Sequence, residues 1–268
     1  PKSATFRTAD VVGIDTLVKV AKGVYDNCPD DEAKEKFIIP AWLNKMIDNN
    51  WLGDKTGQGF FKKIKGADGS KDIQVLNLET LQYEPRTKPK FATLETAKPI
   101  EDLHTRLKAL VTGQDKAGEF YRHFHFSLFS YISHRIPEIS DEIYRVDDAM
   151  MAGFGWEIGA FESWDTLGLT KTREAMKAAG YSVAAWVDDM LSKGITSFYK
   201  VENGKQLYYD ISSQTYKAKP GGDAFIVMKN FANQTIWKNN ACRTYHLGDD
   251  VIGLEWYTKM GSIGGEVL

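Results

Sequence analysis

The chain is poor in cysteine, holding only Cys28 and Cys242 among 268 residues. The two form no metal-binding or redox spacing, which suits free thiols in a reducing compartment and sets the expectation of a cytoplasmic protein. No apolar run approaches the ~20 residues that a membrane-spanning helix requires. Charge of either sign is not in excess. The formal net charge is -2, which argues against a strong electrostatic grip on nucleic acid or on an anionic membrane. A secretory leader is missing, and the first residue is Pro1 rather than Met, so the sequence reads as a piece trimmed from something longer.

What is present is ordinary for a folded protein. Apolar residues make up 43% and charged residues 26%, and the length fits one large or two medium domains. Within it a pattern recurs. Phe6, Asp10 and Gly13 in ATFRTADVVGI reappear as Phe161, Asp165 and Gly168 in GAFESWDTLGL, all shifted by 155 positions. A fixed offset of this kind is the mark of an internal repeat.

The recurrence extends on both sides. After Phe6, the apolar positions Val11, Ile14, Val18, Ala21 and Tyr25 are spaced as on an amphipathic helix. Pro40, a good first-turn residue, then opens a helix with Trp42, Leu43, Met46 and Ile47. Later, Trp186, Val187, Met190 and Leu191 repeat that spacing behind Ser182, a candidate N-cap, with Gly194 as the C-terminal stop. Each helix pair is followed by an aromatic pair and β-rich runs, in TGQGFFKK and in GITSFYKV. Asn203-Gly204 between alternating segments predicts a hairpin. Between the copies, YEPRTKPKFATLETAKPI reads as a connector. Three helices follow, on Ile100–Leu110, on Phe120–Tyr131 before Pro137, and on Ile139, Ile143, Val146 and Met150. The tail predicts strands at Thr235–Trp237, Ala241–Tyr245 and Val251–Tyr257, too few to close a core.

Few residues carry recognisable chemistry. Gly57-Gln58-Gly59 lacks the third glycine of a dinucleotide cradle and follows a helix, so a plain turn is the stronger reading. His123 and His125 fall on roughly opposite sides of one helix and form no dyad with each other or with His134. Asp68, Ser70, Asp72 and Glu79 mimic a calcium loop, but Ile73 stands where glycine is needed, so a hairpin turn is favoured. Asp10 and Asp165 are expected to begin helices, their carboxylates facing first-turn N–H groups. No catalytic, cofactor-binding or metal-ligating residue is assigned within the chain.

The stretches IYRVDDAMMAGFGWEIGAFESWDTLGL, PKSATFRTADVVGIDTLVKVAKGVY and LGDKTGQGFFK resemble the C-terminal helical domain of 3-hydroxyacyl-CoA dehydrogenases. LGDDVIGLEWYTKMGSIGGEVL resembles the first strands of an enoyl-CoA hydratase (crotonase) domain. The chain departs from the family pattern at Ala4-Thr5-Phe6 and Gly159-Ala160-Phe161, where Gly-Pro-Phe is usual. It also departs at Ser133-His134-Arg135-Ile136, where an Asn-Arg pair is usual, and at Lys259-Met260-Gly261.

The resemblance implies a mainly α fold: two tandem helical domains, each with a β-hairpin, and a short C-terminal β segment. Residues 1–90 would be the first repeat with its front missing, 91–220 the second, and 221–268 the truncated start of a crotonase-like domain. The implied parent is a fatty acid β-oxidation enzyme, an NAD-dependent L-3-hydroxyacyl-CoA dehydrogenase fused to enoyl-CoA hydratase. NAD and the catalytic His and Glu would belong to a Rossmann domain ahead of Pro1, and the hydratase's acidic residues would lie past Leu268. Expected partners are those two domains and acyl-CoA. The repeats would pair within the chain, giving a monomer by that face. Lys62, Lys63, Lys65, Arg86, Lys88 and Lys90 could meet coenzyme A phosphates, although a solvated face is the stronger reading. Trp42, Met46, Trp164, Trp186 and Met190 read as core, with an acyl channel as the lesser reading. A non-enzymatic helical module with two repeats is the alternative.

Overall fold

The apolar stripe through Val11 and Tyr25 does not run as one helix. It breaks at Gly13 into α1 (Thr5–Val12) and α2 (Ile14–Asn27). Gly13 has φ 108° and ψ 130°, a conformation open to a residue without Cβ. The computed structural model describes residues 4–65, 71–222, 224–258 and 261–268. They fall into two units, the first ending at Lys90 and the second beginning at Phe91.

In the first unit, α2 is followed by a 3-10 turn, Lys34–Phe37, and by α3 (Ala41–Asp48). Pro40 sits just outside α3 as its N-cap rather than in its first turn. A second 3-10 turn, Asp54–Thr56, leads into β1 (Phe61–Lys65), β2 (Lys71–Leu76) and β3 (Tyr83–Pro85). The sheet is an antiparallel meander in the order β1-β2-β3. Its core is small: Ile14, Leu43, Met46, Phe60 and Leu76.

The second unit opens with α4 (Ala92–Ala97), α5 (Leu103–Thr112), α6 (Lys116–His134) and α7 (Ile143–Phe154). Two aspartates start these helices. Asp102 accepts from Thr105 N at 2.8 Å. Asp115 accepts from Ala117 N and Gly118 N at 3.1 Å, and also from Thr93 N at 3.0 Å, which ties α4 to the start of α6. The bond from Thr93 leads the contacts that push the Asp115 carboxyl down to about 2. Ile139 lies ahead of α7 rather than on it.

Next come α8 (Ala160–Leu167), Gly168 with φ 85° and ψ 109°, α9 (Leu169–Ala178) and α10 (Ala185–Ser192). The N-cap of α10 is Ala184, not Ser182; the entering chain is held instead by Ser133 Oγ, which accepts from Ala184 N at 3.0 Å. Strands β4 (Tyr199–Glu202), β5 (Lys205–Asp210) and β6 (Thr215–Ala218) form a second antiparallel meander. Asn203 and Gly204 both have positive φ, 50° and 74°, as the two-residue hairpin requires. The expected hairpins are therefore three-stranded in both units. Each third strand is reached through a turn that places a non-glycine residue at positive φ, Leu81 at 57° and Gln214 at 56°.

The core of this unit is larger. Trp164 is fully buried and lies parallel to Phe129 of α6, with ring centroids 4.8 Å apart. Phe161, Phe198, Val187 and Met190 complete its centre. Large side chains enclosed in this way typically cost ~3–5 kcal/mol when an aromatic is cut back to alanine.

The tail carries a 3-10 segment, Met228–Gln234, then β7 (Thr235–Lys238), β8 (Cys242–Gly248) and β9 (Val251–Trp256). This meander buries Ala241, Cys242 and Tyr245, and β8 lies along the 3-10 segment. Phe231 of that segment covers Gly204, where a Cβ would fall 2.3 Å from its ring. No helix among the described residues is long and apolar enough to cross a membrane.

Gly168→Ala is expected to destabilise the chain by about 1–3 kcal/mol, the range for a residue forced into a sparsely populated backbone region. No atom lies within 4 Å of the added Cβ, so the loss would be backbone strain rather than a clash. Urea unfolding followed by circular dichroism measures it, and an unchanged midpoint would remove the special role of this glycine.

Candidate functional site

Asp10 and Asp165 do not begin their helices. They stand in the last turns of α1 and α8, and their carboxylates reach forward to the start of a sheet. Asp10 Oδ1 accepts from Phe60 N at 2.8 Å and Oδ2 from Phe61 N at 2.9 Å. Asp165 accepts from Phe198 N at 2.8 and 2.9 Å and from Tyr199 N at 2.8 Å. The same aromatic pair is clamped in both units.

The surroundings of the clamp recur as well. Tyr83 OH donates to Gly59 O at 2.7 Å, and Tyr216 OH donates to Ser197 O at 2.6 Å. Trp42 meets Phe60 at 6.0 Å between ring centroids, and Trp186 meets Phe198 at 5.8 Å, both nearly edge-on. Met46, Trp164 and Met190 are fully buried in the two cores. A buried N–H left without its partner costs ~1–3 kcal/mol, so each clamp is a principal local tie between helix and sheet.

Gly57-Gln58-Gly59 belongs to this clamp. A Cβ on Gly59 would lie 2.2 Å from Asp10 Oδ1, and one on Gly53 would lie 2.2 Å from Asp10 O. The glycines let the backbone close around a carboxylate. The neighbouring amides are already bonded to Asp10, and its buried negative group faces the loop, so this turn does not fit a dinucleotide pyrophosphate.

The carboxylate at the first turn of α8 is Asp147, from α7, a residue that sequence reasoning missed. Its Oδ1 accepts from Phe161 N at 2.9 Å and its Oδ2 from Glu162 N at 3.0 Å; Tyr199 OH adds a bond of 3.0 Å. Gly159 makes room for it, since a Cβ there would fall 2.1 Å from the Asp147 carboxyl carbon. Only the pairing of a distant Asp with this glycine could have signalled the contact, and nothing in local spacing reveals that pairing.

Burial dominates the electrostatics. It pushes Asp147 up to about 6 and Asp165 up to about 7, against the lowering effect of the backbone N–H bonds. Burial, and then Asp147, raise the Tyr199 phenol strongly. Asp10 is raised in the same sense, by burial first.

Beside Asp147 and Tyr199 opens a cavity of about 390 Å³, bounded by Glu162, the β4–β5 turn, residues 218–222, Phe225, Val227, Lys229 and Asn230. Two lysines of its walls are paired with acids. Lys219 Nζ lies 2.7 Å from Asp148, and Lys229 Nζ lies 3.9 Å from Glu162. The cavity holds no histidine or cysteine among its described lining residues, so it offers a recess with mainly apolar walls and a few charged groups rather than a nucleophile with its base.

The candidate residues are not brought together. His123 Nδ1 meets Tyr181 OH. His125 is buried against Tyr121 O at 2.7 Å, and burial lowers its pKa. His134 Nδ1 bonds Ser130 O at 2.8 Å. Asp72 is on β2 and Glu79 on the following turn, while Asp68 and Ser70 lie outside the described residues. Lys62 rests over Tyr83 at 5.2 Å from the ring centroid; Lys63, Lys65, Arg86, Lys88 and Lys90 are exposed.

Comparison with known proteins places this geometry in context. Residues 2–63, which hold α1–α3 and both sides of the first clamp, match the family model of 3-hydroxyacyl-CoA dehydrogenase, C-terminal domain. A Bacillus subtilis protein named 3-hydroxyacyl-CoA dehydrogenase is 40% identical over 270 residues, covering 100% of this chain and 33% of its own length. A Rickettsia felis protein named as a fatty acid oxidation complex trifunctional enzyme is 24% identical over 163 residues, 60% of this chain and 21% of that protein. A Deinococcus radiodurans protein, also named 3-hydroxyacyl-CoA dehydrogenase, is 44% identical over 63 residues, 24% of this chain and 17% of its own. The chain thus spans about a third of the Bacillus relative.

The raised carboxyls predict a pH dependence. The folded chain keeps protons on Asp147 and Asp165 up to about pH 6 and 7, while the unfolded chain releases them near 3.8–3.9. Between these values the folded state binds more protons, so stability falls as pH rises from about 4 to about 7. Asp115 changes stability only at lower pH, but the buried His125, whose pKa burial lowers, acts in the opposite sense inside this window. Asp165→Asn isolates the carboxyl: the denaturant midpoint of the original chain relative to this variant is expected to decline across pH 4–7. A relative midpoint that rises with pH would contradict the burial assigned to Asp165.

Proposed function

We propose that the chain is part of a fatty acid β-oxidation enzyme, an NAD-dependent L-3-hydroxyacyl-CoA dehydrogenase fused to enoyl-CoA hydratase. In this reading it contains two tandem copies of the dehydrogenase C-terminal helical domain. The first copy lies in residues 1–90 with its front outside the sequence, and the second in 91–220. Residues 221–268 begin the hydratase. The chain shapes the acyl-CoA side of the dehydrogenase and links it to the hydratase, and the parent works in the cytoplasm.

The observation that carries the reading is the repeated clamp. One carboxylate in the last turn of a short helix, followed by a glycine at positive φ, holds the amides of an aromatic pair in both units. The family match covers Asp10, Phe60 and Phe61, both sides of the first occurrence. The second has the same Phe, Asp and Gly offsets and the same tyrosine bond to the backbone. The Bacillus relative extends over the tail as well as both clamps, which supports reading all three segments as parts of one protein.

The division of labour follows from the chemistry. Oxidation of a 3-hydroxyl needs a base and a bound hydride acceptor. Among the described residues no histidine is paired with a carboxylate, and the only glycine turn of the right kind is filled by Asp10. In this reading NAD is held elsewhere in the parent, and this chain contributes substrate surface and domain coupling.

The chain by itself is expected neither to bind NADH in titration calorimetry nor to turn over 3-hydroxybutyryl-CoA in a coupled absorbance assay. Without a base the chemical step loses typically 10²–10⁴-fold, and without a held cofactor hydride has no acceptor. Turnover that disappears on changing His123, His125 or His134 would mean that the chain holds its own site, and the reading would fail.

A further inference from the structure

The cavity beside Asp147 and Tyr199 has a wall that is held at both ends. That wall is the segment between β6 and β7, and it is bonded back to the strands it leaves. Lys219 N donates to Gln206 O at 2.9 Å, and the buried Asn230 donates from Nδ2 to Gly204 O at 3.1 Å. Lys219 Nζ adds a pair with Asp148 of α7 at 2.7 Å. The space enclosed is about 390 Å³, within the ~300–1,000 Å³ range of small-molecule sites. Met151, Ala218, Pro220 and Val227 give it an apolar lining. Phe225 also lines it and is 66% exposed, so an occupant would take apolar surface out of water.

The charged groups of the lining tell against an ionic occupant. An anion would be drawn to the first-turn amides of α8, but Phe161 N and Glu162 N already donate to Asp147. It would be drawn also to lysines, and Lys219 and Lys229 are paired with Asp148 and Glu162. A cation would be drawn to Asp147, whose oxygens already accept three hydrogen bonds. Lys205 and Glu157 are both exposed and opposite in sign. Bringing an ion into apolar surroundings without a fresh partner is costly. Uncharged hydrogen-bonding groups are at hand instead. Gln206 and Asn230 carry side-chain amides, each with donor and acceptor atoms, and Tyr199 OH donates to Asp147 while keeping an acceptor oxygen. We infer that this cavity binds an uncharged linear amphipath, an alkyl chain ending in a carboxamide. The site lies within the second unit, and its occupancy is independent of the reaction proposed for the parent.

Three probes with one body and different heads provide the test: hexanamide, hexanoate and hexylamine, each titrated near neutral pH. The full chain carries carbon-13 at its methionine methyls, and the Met151 resonance is assigned by its loss in Met151→Leu. Hexanamide is expected to shift that resonance saturably, with a Kd at least tenfold lower than that of either charged probe. Ala218→Phe and Val227→Trp, which bring bulk into the cavity from β6 and from the segment beyond it, should each abolish the shift. Absence of a saturable Met151 shift with hexanamide would overturn the inference. A Kd for hexanoate or hexylamine within tenfold of the hexanamide value would overturn it as well, since the site would then accept an ion. So would a shift that survives in both filled variants, because the ligand would then sit elsewhere. Should a filled variant lose its native circular dichroism spectrum, the three-probe comparison in the unaltered chain still decides the matter.

Discussion

A carboxylate that answers the N–H groups of an aromatic pair is the tie on which both units depend. A short helix and a three-stranded meander have little reason to meet in a fixed orientation, since apolar contact is non-directional. Asp10 and Asp165 give the meeting a direction. Each leaves a helix in its last turn and takes the first amides of the sheet. Around that fixed point the aromatic contacts fall into place: Trp42 against Phe60, Trp186 against Phe198. In the second unit Asp147 adds a further tie, joining α7 to the start of α8 and to Tyr199.

These ties have an electrostatic cost. A carboxylate out of water prefers to be neutral unless its hydrogen bonds compensate. At Asp147 and Asp165 the compensation is incomplete, and the two acids sit close enough that Asp147 raises Asp165 further. Displaced titration of this kind often marks catalytic groups. Here the partners are backbone amides and a tyrosine rather than a nucleophile, so the geometry assigns the displacement to architecture.

Much of this was legible in the sequence, and the parts that were not share a cause. The recurrence of Phe, Asp and Gly, the Trp-bearing helices and the Asn203-Gly204 turn all rest on local periodicity or local backbone chemistry. The role of the aspartates was misassigned because Asp10 and Phe60 are 50 residues apart and meet only through the fold. Asp147 was invisible for the same reason. The third strands were missed because their turns place Leu81 and Gln214 at positive φ, where glycine or asparagine would have been the readable signal. Ser182 looked like a cap by type, but Ser133, from another helix, does the holding. The histidines follow the helical spacing of their positions: His123 meets Tyr181 OH, while His125 and His134 bond backbone carbonyls of their own helix.

The two clamps close loops of unequal size. Asp10 and Phe60 are separated by 50 positions and Asp165 and Phe198 by 33, with the 3-10 turn at Lys34–Phe37 inside the longer loop. Closure entropy grows only with the logarithm of loop length, so the difference amounts to a few tenths of a kcal/mol. The stretch between α2 and α3 is therefore a permissive place in the architecture. Chain can be added or removed there with little thermodynamic penalty, provided that both ends still deliver the aspartate and the aromatic pair to one another. For protein engineering it is the natural seam for a tag, a reporter or a grafted recognition loop.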